Sequence, residues 1–118
     1  MGLDNFSIYK IEIMNEEINL EKLKKLMTHT FGVGDVSLDT KVNELNTLSE
    51  DNEHFIKLFQ NEFNVNMESF SYYEYFEEDE FILLSVLKRI FPMIRKKKKP
   101  LKVKHLLSVI RNGKWFDP

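Results

Sequence analysis

Three phenylalanines repeat every four residues near the middle of this 118-residue chain, at Phe55, Phe59 and Phe63. Further apolar residues lie between them. Their spacing does not alternate strictly between apolar and polar, as it would in a half-buried strand. The pattern is typical of one face of an amphipathic α-helix. It predicts a helix over residues 50–63 whose phenylalanine side chains form the centre of the core.

The same helical spacing recurs elsewhere, and it indicates the fold class. Helices are predicted over residues 16–31, 78–94 and 103–112, the first ending at Gly32 and the last at Gly113. Residues 1–14 alternate loosely and are predicted to be a strand or an extended arm. We therefore expect one all-α domain over residues 1–118, a small bundle of about four helices.

Charge is distributed unevenly along the chain. Residues 1–94 hold eight basic and eighteen acidic residues, whereas residues 95–118 hold nine basic residues and one acidic residue. The acidic part should attract a basic partner protein. Nucleic-acid binding is not expected, because the aromatic residues lie mostly in the acidic part. The basic run is predicted to be a linker over residues 95–100, before the last helix.

Other signals place limits on function. The chain has no cysteine, which excludes disulfides and thiolate chemistry and fits a reducing compartment; with no signal peptide visible, we expect a cytoplasmic protein. His29, His54 and His105 share no metal-ligand spacing, so no metal site is predicted. Residues 81–99 combine an apolar stretch with basic residues and could lie on an anionic membrane surface, which is a weaker alternative.

A serine at the start of the acidic helix allows two interpretations. Ser49 follows Glu44-Leu45-Asn46 and precedes Asp51, and the helix ends in Glu62-Phe63. This arrangement resembles bacterial acyl carrier proteins, in which such a serine receives 4′-phosphopantetheine. Leu48 and Glu50 depart from that motif. The other interpretation is that Ser49 or Thr47 only caps an exposed helix start.

A second resemblance covers most of the chain from residue 16 onward. It is carried by Thr40, Val42, Glu44, Leu45, Asp51, Phe59, Phe63, Val65, Phe70, Tyr75, Phe76, Glu78, Pro100, Leu101, Val103, Leu106, Gly113, Lys114 and Trp115. In these positions the chain resembles the small bacterial family called domain of unknown function 1493, which is itself acyl-carrier-like. The serine position is commonly glycine in that family. The resemblance implies no catalytic activity and favours an arm-free protein.

These observations lead to one functional prediction with two alternatives. We expect a non-enzymatic, acyl-carrier-like adaptor without a cofactor, which presents an acidic helix to a basic partner protein or to a carrier-dependent enzyme. The expected partner-binding residues are Glu50, Asp51, Glu53 and Glu62. The first alternative is a true carrier with 4′-phosphopantetheine on Ser49, and the second is a peripheral membrane protein that uses residues 81–99.

Overall fold

A computed structural model describes residues 5–45, 47–77, 87, 89–91 and 98–118. Within these residues the regular structure is helical, and backbone pairing outside the helices is limited to two isolated bridges. The elements are α1 (Asn5–Phe31), a 3₁₀ turn (Val42–Glu44), α2 (Ser49–Phe63), α3 (Tyr72–Tyr75) and α4 (Val103–Asn112). The predicted all-α bundle is confirmed.

Helix α1 is much longer than the sequence pattern indicated. It begins at Asn5, so the prediction of a strand or an extended arm over residues 1–14 is wrong for the ten residues of that stretch that the structure describes. The physical reason is that Phe6, Tyr9 and Ile13 also have helical spacing, and they continue the stripe of the helix that follows. The helix ends as predicted, because Gly32 adopts a positive φ of 72° and its N–H donates to the carbonyl of Thr28 at 2.9 Å.

Helix α2 supplies the aromatic centre of the core. Phe55 and Phe59 are fully buried and Phe63 is half-buried, with ring centroids 6.2 and 5.4 Å apart along the helix. The ring of Phe31, at the end of α1, lies 4.9 Å from that of Phe55. The helix ends where Asn64 turns to a left-handed conformation, so α2 has the predicted C-terminus and starts one residue early.

Two irregular segments about sixty residues apart in sequence hold the bundle closed. The Val42 N–H donates to the carbonyl of Leu101 at 2.7 Å, and the Val103 N–H donates to the carbonyl of Thr40 at 3.0 Å. The Asn43 amide spans the same junction. Its Nδ2 donates to the carbonyls of Tyr75 (2.9 Å) and Lys99 (2.6 Å), and its Oδ1 accepts from the Leu101 N–H at 3.0 Å. Residues that lack regular structure are thereby fixed against the start of α4.

The C-terminal segment folds back onto the core. Helix α4 ends before Gly113, whose φ is 84°, and Trp115 is buried. The Trp115 ring contacts Phe70 and Tyr75 edge-on, with centroids 4.7 and 5.4 Å away. The indole N–H and the Tyr75 hydroxyl both donate to one carboxylate oxygen of Asp117, each at 3.3 Å.

Most of the third predicted helix, residues 78–94, and of the basic run lies outside the described residues. Leu87, Arg89 and Ile90 are helical, within the predicted span of residues 78–94. Of the basic run, Lys98 and Lys99 are described, and both contact α3. The Lys98 ammonium donates to the carbonyl of Tyr73 at 2.7 Å, and the Lys99 ammonium lies 3.4 Å from the carboxylate of Glu74. These two lysines therefore do not belong to a contact-free linker.

Candidate functional site

The start of α2 is built differently from the predicted cap. The residue before the helix is Leu48, in an extended conformation with φ −73° and ψ 149°, and its side chain makes no capping bond. The Thr47 hydroxyl donates instead to Oδ1 of Asn52, which is buried. Ser49 is already the first helical residue. The prediction that Thr47 or Ser49 caps the helix is wrong, because a buried amide takes the Thr47 hydroxyl.

The hydroxyl of Ser49 lies near the segment that follows α3. It donates to the backbone carbonyl of Glu77 at 3.4 Å, which is the long limit of a hydrogen bond, and the residue is half-buried rather than fully exposed. Asn46, the residue that stands in the glycine position of the carrier-like loop, lies outside the described residues. Ser49 therefore sits at the predicted helix terminus in a partly covered position.

The predicted acidic residues occupy two ends of one helix. Glu50 and Glu53 are exposed in the first turns, Asp51 is half-buried beside them, and Glu62 is exposed in the last turn. Twelve residues separate Glu50 from Glu62, which is about 18 Å along a helix axis. Lys57 is exposed between the two ends. The structure brings Glu50, Asp51 and Glu53 together, and it leaves Glu62 apart from them.

A residue that the sequence analysis named only as a departure from the carrier motif lies next to this acidic group in the chain. Leu48 is 71% exposed, although it directly precedes a helix that carries much of the core. Helix starts favour small polar residues at this position, so a large aliphatic side chain there is unusual. This mismatch between residue type and position was the sequence signal that could have identified Leu48 as a surface feature. Leu48, Glu50 and Glu53 are all exposed near the same helix terminus.

The three histidines lie in separate parts of the structure. The described part of the chain contains no group of three His, Cys, Asp or Glu side chains that could hold a metal ion. His105 packs edge-on against Trp115 and Phe116, with ring centroids 5.1 and 4.8 Å away, and its Nε2 lies 2.7 Å from the Phe116 carbonyl. These contacts give His105 a structural role, because they hold the C-terminal segment against α4.

Among the described helices, none is both long enough and apolar enough to cross a bilayer.

One protein family matches almost the whole chain. The fold and the α2 terminus define a small all-α domain with an acidic helix at its surface. The family described as "Protein of unknown function (DUF1493)" matches residues 4–117, and the chain belongs to that family. No curated protein and no solved structure matches the chain significantly.

Proposed function

We propose that this protein is a non-enzymatic, acyl-carrier-like adaptor of the cytoplasm that binds a basic partner protein through the start of α2 and carries no prosthetic group. The observation that carries the proposal is the exposed Leu48 at the same terminus of α2 as the exposed Glu50 and Glu53. An apolar anchor surrounded by charge is the usual anatomy of a protein–protein contact.

Electrostatics supports a basic partner in particular. Helix α2 carries four carboxylates, at Glu50, Asp51, Glu53 and Glu62, against the single lysine Lys57. Carboxylates in the first turn also align favourably with the helix dipole, so the acidic end is compatible with a stable helix. A complementary basic surface would be steered toward this end and held in register there.

The surroundings of Ser49 support an arm-free adaptor. Its hydroxyl makes a long, solvent-exposed contact of 3.4 Å with the Glu77 carbonyl, which a transferase would have to break. Glu50 and Asp51 would also place negative charge beside an incoming phosphodiester. Both features act against attachment at this serine.

Affinity capture from the native host tests the adaptor proposal with three variants of matched charge or size. We expect wild type to retain a basic protein that elutes with added salt, and Leu48→Ser and Glu50→Lys each to lose it. Glu68→Lys is the control, because Glu68 is exposed and lies outside α2. If the α2 variants retain the same protein as well as Glu68→Lys does, the binding surface has been placed wrongly.

A carrier with 4′-phosphopantetheine on Ser49 is the second candidate, and one observation favours it. Ser49 is the first residue of α2, where free helix N–H groups could receive a phosphodiester. Intact mass after co-expression with a promiscuous phosphopantetheinyl transferase separates the two. We expect no change in mass. A gain of about 340 Da, the mass of the attached group, that disappears in Ser49→Ala would establish the carrier instead.

The membrane alternative concerns residues 81–99, which lie mostly outside the described residues. Flotation with anionic vesicles tests it. We expect the protein to stay unbound, and binding that is lost when Arg95–Lys99 are replaced by serine would support a peripheral membrane role.

A further inference from the structure

The first half of α1 carries apolar side chains that its own fold leaves exposed. The helix has 27 residues, which is about 40 Å, but only Leu23 and Met27 in it are buried. The molecule is correspondingly elongated, 65 Å long and 28 by 22 Å across. The exposed apolar residues of this half are Phe6, Ile8, Tyr9, Ile11, Ile13, Met14 and Ile18. So many in so short a stretch indicate a surface that another molecule covers.

Part of this set continues the core face of the same helix. Phe6, Tyr9 and Ile13 fall on the helical stripe that includes Leu20 and Leu23 farther along α1. The C-terminal half of the stripe packs against α2 and α4, whereas Phe6 is 73% exposed and Tyr9 is 63% exposed. Only the C-terminal half of this continuous apolar seam is therefore packed against other described residues of the chain.

Two grooves lie beside this seam, where α1 meets α4. One has a volume of about 820 Å³ and includes Ile13, Leu20 and Leu107 among its lining residues. The other, about 590 Å³, includes Ile13, Leu107 and Arg111. Arg111 lies 3.8 Å from Glu16 across its edge. Apolar concave surface is thus available on both sides of the point where the exposed part of α1 begins.

We propose that this seam is the interface of a homodimer, in which the exposed halves of two α1 helices pack antiparallel. The N-terminus of each helix then reaches the grooves between α1 and α4 of the second copy. The occupant of the surface is this same chain, and the proposal is independent of the function assigned to α2.

Charge complementarity fixes the direction of the pairing. Lys10 and Glu17 are both exposed, seven residues apart, and flank the seam on the same side. In an antiparallel pair that crosses between Ile13 and Met14, each Lys10 lies opposite Glu17 of the second copy, so the contact forms twice. A parallel pair would instead place Glu12 beside Glu17 of the second copy, which is repulsive. The sequence therefore favours the antiparallel arrangement.

The area that a stable dimer interface buries explains why the grooves must be part of this interface. At about 200 Å² for a large side chain, the exposed fractions of Phe6, Tyr9 and Ile13 amount to roughly 350 Å². A stable interface usually buries about 800 Å² on each partner. The seam alone is too small, whereas the proposed crossing point places Phe6 at the level of Leu20, beside the grooves. Insertion of Phe6 there supplies additional apolar contact.

An anionic membrane surface is a less suitable occupant. Interfacial helices separate apolar and basic faces, but this half of α1 has apolar residues around its circumference and carries Glu12, Glu16 and Glu17 against the single Lys10. Its net negative charge would be repelled by anionic lipid. In the proposed dimer, by contrast, Glu17 faces Lys10 of the second copy, and Glu16 already lies 3.8 Å from Arg111 of its own chain.

Sedimentation equilibrium of the full chain tests the proposal. We expect wild type to approach twice the 14.1 kDa chain mass as concentration rises. Tyr9→Ser should raise the dimer dissociation constant by at least about tenfold. Ile11→Ser is the matched control, because Ile11 is exposed on the opposite side of the helix and should leave dimerisation unchanged. Circular dichroism confirms that each variant stays folded, since neither residue is in the core.

A charge exchange then tests the direction of the pair. Lys10→Glu and Glu17→Lys should each weaken the dimer several-fold, and the double variant should restore it. A protein that remains monomeric up to about 1 mM overturns the proposal. So does equal weakening by Ile11→Ser and Tyr9→Ser, or failure of the double variant to recover. Binding of the monomer to anionic vesicles through residues 5–18 would assign the seam to a membrane instead.

Discussion

Asn43 shows how one side chain can hold together parts of the chain that no regular element joins. Its amide uses both donors and its acceptor, contacting the carbonyls of Tyr75 and Lys99 and the N–H of Leu101. These groups belong to α3 and to the segment that precedes α4. A residue that looks like an ordinary loop asparagine in the sequence is thus a structural centre.

Replacing Asn43 with alanine should therefore be costly for a residue that is only half-buried. We expect a loss of about 2–3 kcal/mol in the free energy of unfolding, because three backbone groups lose their partner at once. Urea denaturation measures it. Asn61→Ala, at an exposed position on α2, should change stability by less than about 0.5 kcal/mol. Similar small losses for both variants would show that water replaces the Asn43 contacts.

Tyr75 predicts a specific sensitivity to alkaline pH. Burial, with further contributions from the charge of Asp117 and its hydrogen bond, raises the pKa of Tyr75 from 10.0 to about 12. A raised pKa in the folded state means that the associated stability is complete below pH 10 and is lost as pH rises toward 12.

The comparison of wild type with Tyr75→Phe between pH 9 and pH 12 measures this effect. We expect wild type to lose about 1–2 kcal/mol more than the variant over this range, since solvent around the exposed Asp117 screens part of the interaction. Parallel pH profiles for the two proteins would mean that Tyr75 ionises freely in the folded state.

At the scale of elements, local apolar spacing predicted the helices well. The features that it did not predict are those that depend on tertiary contacts. Helices α2 and α4 could be placed almost to the residue, because their core stripes and terminal turns are encoded locally. The start of α1 could not, since residues 6–13 fit both a strand and a helix until the helix that follows extends through them. The α2 cap could not either, because the partner that Thr47 takes, Asn52, is chosen by burial.

The candidate site was predictable to the same degree. The sequence placed Glu50, Asp51 and Glu53 near one helix terminus, and the structure confirms that position. The contact of Ser49 with the Glu77 carbonyl depends on a segment 28 residues away in the chain, so it cannot be read from local spacing.

The phenylalanine stripe of α2 predicts graded losses of stability. Phe55→Ala and Phe59→Ala should each cost about 3–5 kcal/mol, because both rings are fully buried and leave cavities. Phe63→Ala should cost about 1–3 kcal/mol, since Phe63 is half-buried. Thermal or urea denaturation gives these values, with Leu48→Ala as an exposed control. Equal losses at all three positions would contradict the burial pattern.

At the scale of the whole molecule, closure of the fold depends on the junction between residues 38–43 and 99–104. Its backbone hydrogen bonds join segments that are distant in sequence, and Val42 and Val103 are fully buried there. Separating the two segments removes side chains of the main core from each other. The junction should therefore open only when the bundle as a whole unfolds.

That dependence has a consequence for amide hydrogen exchange. The N–H groups of Val42 and Val103 should be among the slowest to exchange with deuterium, although Val42 begins only a single 3₁₀ turn. The Glu44 N–H, which bonds locally to the Lys41 carbonyl at 3.1 Å, should exchange at least about a hundredfold faster through local fraying. Residue-resolved exchange by NMR would compare them directly. Slow exchange at Val42 would mark a loop segment, rather than a long helix, as the part of this protein that opens last.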